Sequence, residues 1–265
     1  MIKEIHCFGT SHTEGGGFEF MHKVRNMQLK KFYKEEPFTK ENYSWPGQLQ
    51  KLIGNDIKVY NHGKSGYGNE RIYRLVYDVL NNKTPNDEKL LLLEFSYVGR
   101  KEYYSKSIND YFIANYSFNE DGYIQNLDIA QTYFVPSHKK VENLLKPLVY
   151  EFMTETIDFD IQEKTMKMNN DFFIDFLLYN NINFLLTSPP QFYLPRYGGL
   201  KEKIKNNLII FEDFVYDLYL FIEKNKLRIL DETNGEINDG HAGFEGNKKI
   251  AKIIFDKINN LKNII

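Results

Sequence analysis

Ile2-Lys-Glu-Ile-His-Cys-Phe-Gly-Thr-Ser-His12 carries the pattern that decides the fold: a short strand-forming run that stops at a glycine and two hydroxyl residues. Ile2 to Phe8 reads as a strand and Gly9-Thr10-Ser11 as the loop it feeds. The arrangement recurs at Ile57-Lys-Val-Tyr60, which runs into Asn61-His-Gly63-Lys-Ser-Gly66-Tyr-Gly68-Asn69. Leu90 to Phe95 is apolar apart from Glu94, as expected of a strand covered on both faces, and Asn183-Phe-Leu-Leu-Thr187 before Ser188-Pro-Pro190 is another. Asn247 to Ile258 is an amphipathic final helix. Strands alternating with helices predict a three-layer α/β/α fold with a mostly parallel central sheet. In such sheets ligands sit beyond the carboxyl ends of the strands, where these glycine-bearing loops converge.

A chain of 265 residues buries a full core, and one domain over residues 1–265, with an insertion at about 101–164, fits the pattern. Lys and Arg number 34 against 36 Asp and Glu, so no global basic field points to a nucleic acid or an anionic membrane as partner. The single Cys7 excludes an intramolecular disulfide and argues against a metal–thiolate cluster. Met1-Ile-Lys-Glu-Ile-His6 carries charges where a signal peptide would be apolar, and no apolar run approaches the roughly 20 residues of a membrane helix. A soluble protein, cytoplasmic or virion-associated, is the expectation. The abundance of Asn, Lys, Ile and Tyr suits an AT-rich genome, a viral one included.

Asp239-Gly240-His241-Ala242, read with Gly9-Thr10-Ser11-His12, supplies an acid, a base and a nucleophile. Acyl transfer by serine needs an imidazole within reach of the hydroxyl and a carboxylate orienting that imidazole. In an extended segment residues i and i+2 share a side about 6.6 Å apart, which Asp239 and His241 can bridge. Each piece has a plainer reading: Ser11 as a helix cap or turn hydroxyl, Asp239-Gly240 as turn chemistry, His241 as a solvated loop residue. Gly15-Gly16-Gly17 lacks the spacing of a phosphate loop and reads as a flexible connection. The six histidines show no metal-binding spacing, and neither a metal nor another cofactor is expected.

The chain resembles the SGNH (GDSL-type) hydrolase family. Gly9-Thr10-Ser11 is similar to its first block, with Thr10 where the family usually has Asp; Asn61-x-Gly63-x-x-Gly66-x-Gly68-Asn69 is similar to its second; Asp239-Gly240-His241 with Gly246 and the Ile250-Ala251 helix is similar to its last. Ser44-Trp45-Pro46 is a weaker echo. The resemblance implies a flavodoxin-like SGNH hydrolase fold, with Ser11 as nucleophile, His241 as base and Asp239 as orienting acid. It also implies an oxyanion hole that includes the amides of Ser11 and Gly66. Two positions depart from the family. The third block usually holds Gly-x-Asn-Asp, whereas Glu94-Phe-Ser-Tyr-Val-Gly-Arg100 has no Asn, leaving Ser96, Arg100 or Asn69 as substitute donors. The usual acid stands three residues before the His, where Asn238 is found, so Asp239 takes the role.

Between Lys101 and Lys164 the strand–helix rhythm lapses in an aromatic-rich stretch expected to be irregular. Its rings, Tyr103, Tyr104 and Tyr111 among them, suit stacking on a sugar or an acyl group, an assembly surface, or a small satellite core. Ser96, Arg100, Tyr103 and Tyr104 are the expected substrate-binding residues. The function expected from the resemblance is hydrolysis of an O-acetyl or other short acyl ester, carried on a small molecule or a carbohydrate. The alternative is a catalytically weak or inactive binding or structural module of the same fold, such as a virion component.

Overall fold

The computed structural model describes residues 1–16, 18, 27–33, 39–96, 100–105, 110–118, 124–130, 159–188, 204–211 and 217–262. Its elements run β1 (Glu4–Phe8), α1 (Ser11–Glu14), α2 (Lys40–Tyr43), α3 (Trp45–Ile53), β2 (Lys58–Asn61), α4 (Asn69–Leu80) and β3 (Lys89–Glu94). There follow β4 (Arg100–Ser105), β5 (Asp110–Phe118), β6 (Ile124–Ala130), α5 (Phe159–Tyr179), β7 (Phe184–Ser188), α6 (Leu218–Lys224), α7 (Ile229–Glu232) and α8 (Phe244–Lys262).

The central sheet has strand order β2-β1-β3-β7, and every pairing is parallel. Ile209 N–H donates to Leu186 O at 3.0 Å and extends the pairing beyond β7. The period of two along each strand divides the core between two faces. Ile5, Cys7, Leu90, Leu92 and Leu185 pack with Trp45 and Leu49 of α3, Phe221 of α6 and Ala251 and Ile254 of α8. Phe8, Leu91, Leu93, Phe184 and Leu186 pack on the other face with Ile72 and Val76 of α4 and Ile174 and Leu177 of α5. A parallel sheet covered by helices on both faces is therefore the architecture, in agreement with the three-layer expectation. Towards the β2 edge, His6 Nδ1 and His62 Nε2 lie 3.0 Å apart, and the His62 ring stacks on Phe8 with centroids 4.7 Å apart.

The stretch expected to be irregular is not so where it is described. Residues of β4, β5 and β6 form a three-stranded antiparallel sheet, and α5 begins at Phe159, ahead of Lys164. The aromatic and β-branched content that suggested stacking surfaces is equally the composition of strands. Tyr103 and Tyr104 stand in register opposite Phe112 and Tyr111. Residues 131–158 lie outside the described residues. This second sheet touches the first unit through β4: the Arg100 carbonyl packs so tightly on Gly68 that no Cβ fits there, and Arg74 Nη2 lies 3.2 Å from both Glu102 carboxylate oxygens. Among the described residues no helix is long and apolar enough to cross a membrane.

Candidate active site

The chain enters from β1 on one side of the point where the strand order reverses, with β2 to one side of β1 and β3 to the other. Crevices in open parallel sheets form at such a point, beyond the carboxyl ends of the strands. Here a cleft of about 50 Å³ is lined by Thr10, Ser11 and His12 after β1, Glu94, Phe95 and Ser96 at the end of β3, and Arg100, Ser188 and Tyr219.

Ser11 opens the single turn of α1. That turn is held by a side chain the sequence reading passed over. Glu94, buried at the end of β3, accepts hydrogen bonds from the Thr10 hydroxyl, the Thr13 hydroxyl and Thr13 N, the last at 2.9 Å. A carboxylate here satisfies an amide that a helix start leaves without an intrahelical partner. Gly9 has no room for a Cβ because Thr13 and Glu94 fill the space. Burial pushes the Glu94 carboxyl up, against the opposing pull of the threonine hydrogen bonds.

His241 and Asp239 come together as their spacing predicts. Asp239 Oδ1 lies 2.8 Å from His241 Nδ1 and also accepts from the His241 backbone N–H at 2.8 Å, which locks the loop and the imidazole with one oxygen. Asn238 is exposed, and Asp239 is the residue that reaches the ring. The segment is anchored through Ile229 N–H to His241 O at 2.8 Å and Leu230 N–H to Asp239 O at 3.0 Å. A second overlooked carboxylate, Glu232, accepts from Phe244 N, Gly246 N and the Tyr33 hydroxyl, so it caps α8 directly after the Asp239–His241 loop. That cap explains why α8 starts at Phe244, three residues before the periodic pattern begins at Asn247.

Gly16 joins the two ends of the chain. A Cβ built on it would sit 3.0 Å from His241 Nε2 and 3.0 Å from Ser11 Cβ, so the imidazole nitrogen and the carbon that carries the serine hydroxyl are no more than twice that distance apart. Ser11 and His241 make no direct hydrogen bond; the hydrogen bond that the ring makes is to Asp239. The His12 ring also contacts His241, with centroids 5.2 Å apart, and Tyr219 stands edge-on to His12 at 5.8 Å. His12 Nδ1 is sealed from solvent without a hydrogen-bond partner.

The remaining expected residues divide. Ser96 and Arg100 line the cleft, with Arg100 Nη1 3.4 Å from Ser96 Oγ. Gly66 takes a left-handed φ of 82° in a loop bound to α1, where Glu14 accepts from Ser65 N at 2.6 Å. Asn69 is buried and engaged elsewhere: its Oδ1 accepts from Ser96 N at 2.6 Å, while Nδ2 lies 3.4 Å from Ser96 O and from Asn170 Oδ1. It positions the Ser96 loop and does not line the cleft. Tyr103 and Tyr104 belong to β4, and their side chains lie outside the description. Ser44 caps α3, accepting from Gly47 N at 3.2 Å, and also receives Asn61 Nδ2 at 3.2 Å. Among the described residues no group of three or more His, Cys, Asp or Glu side chains is placed to hold a metal ion.

Comparison with protein families, with curated proteins and with solved structures finds no match for this chain.

Two half-buried imidazoles give the fold an acid sensitivity. Burial, chiefly, holds His12 down to about 3 and His62 to about 4, against an ordinary 6.5. Below about pH 6.5 the unfolded chain binds protons that the folded chain refuses until pH 4 or lower, so stability falls as pH drops through that window. Urea midpoints measured from pH 6.5 down to 4 should decline, and His12→Phe should make the decline shallower. Equal slopes for the two proteins would show that His12 is not responsible.

Proposed function

We propose that the chain is a serine ester hydrolase of SGNH type, acting on an O-acetyl or other short acyl ester of a carbohydrate. The observation that carries this reading is the approach of His241 Nε2 and Ser11 Cβ to one point 3.0 Å from each, with Asp239 on the opposite ring nitrogen. Asp239 accepts from Nδ1–H and leaves Nε2 as the base that faces the serine. His241 takes the Ser11 proton as the serine oxygen attacks the acyl carbonyl. The alcohol then leaves with that proton. Water, deprotonated by the same imidazole, attacks the acyl-serine carbonyl and releases the acid, and the imidazolium returns its proton to Ser11.

The oxyanion forms beside the first turn of α1, where the Ser11 amide has no intrahelical acceptor. Gly66 N–H is the second donor in this reading. Arg100 and the Ser96 hydroxyl, both in the cleft wall, replace the absent Asn. The half-exposed Tyr219 ring offers a face for a sugar, and Ser96 and Ser188 offer hydroxyls.

Covalent labelling tests the reading. A fluorophosphonate should add one mass increment to the intact protein, mapped to Ser11 and lost in Ser11→Ala. One observation favours a binding module instead: the Asn69 amide is turned to Ser96 and Asn170 and away from the cleft. No label, together with no hydrolysis of acetyl esters above the Ser11→Ala background, would select that second reading.

A further inference from the structure

His12, the residue after the nucleophile, takes no part in the proton transfers between Ser11 and His241. Its half-buried ring lines the cleft beside Ser11 and packs against the His241 ring, with centroids 5.2 Å apart and planes tilted by 48°. Tyr219, also in the cleft wall, stands edge-on to it at 5.8 Å. His12 Nδ1 is sealed from solvent and meets no hydrogen-bond partner. The edge of the ring that borders the cleft is therefore the one that carries Nε2. An imidazole with a stranded nitrogen bears a desolvation penalty that a phenyl ring of similar shape would not, so packing alone does not account for it.

Burial, chiefly, keeps this imidazole neutral, its pKa held at about 3, so it does not compete with His241 for the serine proton. A neutral imidazole has one N–H and one lone pair. With Nδ1 enclosed, Nε2 is the nitrogen that a bound molecule meets. A hydroxyl, which both donates and accepts, pairs with it in either tautomer, whereas a carbonyl or ether oxygen pairs with only one. The position of the ring says which hydroxyl. In acyl transfer the base hands its proton to the leaving oxygen, so the alcohol half of the ester lies against His241. His12, in contact with His241 and in the same cleft, faces the atoms next to that oxygen. In a sugar the neighbouring carbon bears a hydroxyl, and Tyr219 beside His12 offers its ring to the sugar's apolar face.

We infer that His12 is a specificity-determining residue whose Nε2 hydrogen-bonds the hydroxyl on the carbon next to the ester, so that the substrate is a monoester of a vicinal diol, as in a partly acetylated sugar. This rests on the hydrolase reading and narrows it from short acyl esters at large to those with a free hydroxyl beside the ester. A simple alkyl ester leaves Nε2 without a partner in a cleft from which it has displaced water. Polar groups left unpaired in this way are what allow a site to reject an analogue that lacks a hydroxyl. The same hydrogen bond holds the leaving oxygen at His241, so part of the preference appears in kcat.

2-Hydroxyethyl acetate and n-propyl acetate differ only by a hydroxyl in place of a methyl, and both turn freely about their carbon chains. With each rate divided by that of hydroxide on the same ester, kcat/KM should favour the hydroxyl-bearing ester by at least about 20-fold in wild type. His12→Phe should bring that ratio to within about threefold of unity, and His12→Leu takes its place should circular dichroism show that His12→Phe does not fold. His12→Gln, whose amide both donates and accepts, should keep a ratio above that of His12→Phe. Hydrolysis of p-nitrophenyl acetate, which has no neighbouring hydroxyl, and its loss in Ser11→Ala report on the hydrolase reading alone. Wild type no faster than Ser11→Ala on all three esters would remove that reading and this inference with it. Turnover of p-nitrophenyl acetate without a preference for the hydroxyl-bearing ester, or a preference that survives in His12→Phe, would overturn the inference and leave the hydrolase reading standing.

Discussion

Ser11→Ala and His241→Ala are each expected to lower kcat for p-nitrophenyl acetate by about 10³-fold or more, and the double variant by no more than the larger single loss. On the proposed mechanism the losses do not add because the two groups would perform one step: without His241 the hydroxyl would not be activated, and without Ser11 the base would have no proton to take. Asp239→Asn should also be damaging, since an amide at this site can donate to Nδ1 and present the wrong ring tautomer to Ser11. Thermal midpoints should stay close to wild type for Ser11→Ala, whose hydroxyl has no part in the Glu94 cap. Equal rates for wild type and both alanine variants, across short acyl chains and acetylated sugars, would remove the hydrolase reading.

Gly16→Ala is expected to lower kcat about 10²-fold, the order of loss that a 1 Å misplacement of catalytic groups produces. The added methyl would stand 3.0 Å from His241 Cδ2, His241 Nε2 and Ser11 Cβ at once, tighter than ordinary van der Waals contact, so it forces base and nucleophile apart. Gly240 is the matched control. It lies between Asp239 and His241, yet a Cβ there meets nothing within 4 Å, and Gly240→Ala should change kcat by no more than about threefold, as at sites free of packing constraints. A Gly16→Ala enzyme as active as Gly240→Ala would mean that Ser11 and His241 do not act across this gap.

The contrast between those glycines marks how far local sequence reaches. Gly15-Gly16-Gly17 reads as a flexible connection because nothing within a few residues shows that Gly16 meets His241, 225 positions later in the chain. Glu94 is visible as the one polar residue between Leu90 and Phe95, which is the signal the sequence offers of a buried polar contact. Its role as cap of the Ser11 turn depends on β3 lying beside β1. Glu232 carries no comparable mark, since an acidic residue before a glycine-rich turn is ordinary. The second sheet escapes the local reading for a different reason: the aromatic and β-branched content of Asp110–Phe118 suits a stacking surface, an assembly surface or a satellite core as well as it suits a strand.

By itself the sequence determined what depends on spacing along the chain. The unbroken apolar runs of β3 and β7 specify strands buried on both faces, the glycines after β1 and β2 specify where those strands end, and the i, i+2 separation brings Asp239 to His241. Only the tertiary structure decided what depends on distance through space. Strand order put Ser11 at the point of reversal, long-range packing put Glu94 under its turn and Gly16 against the imidazole, and Asn69 was drawn to Ser96 and out of the cleft. The physical reason is that backbone periodicity sets which face a side chain occupies, whereas its partner on that face is chosen by the assembly of segments whose mutual placement no local pattern encodes.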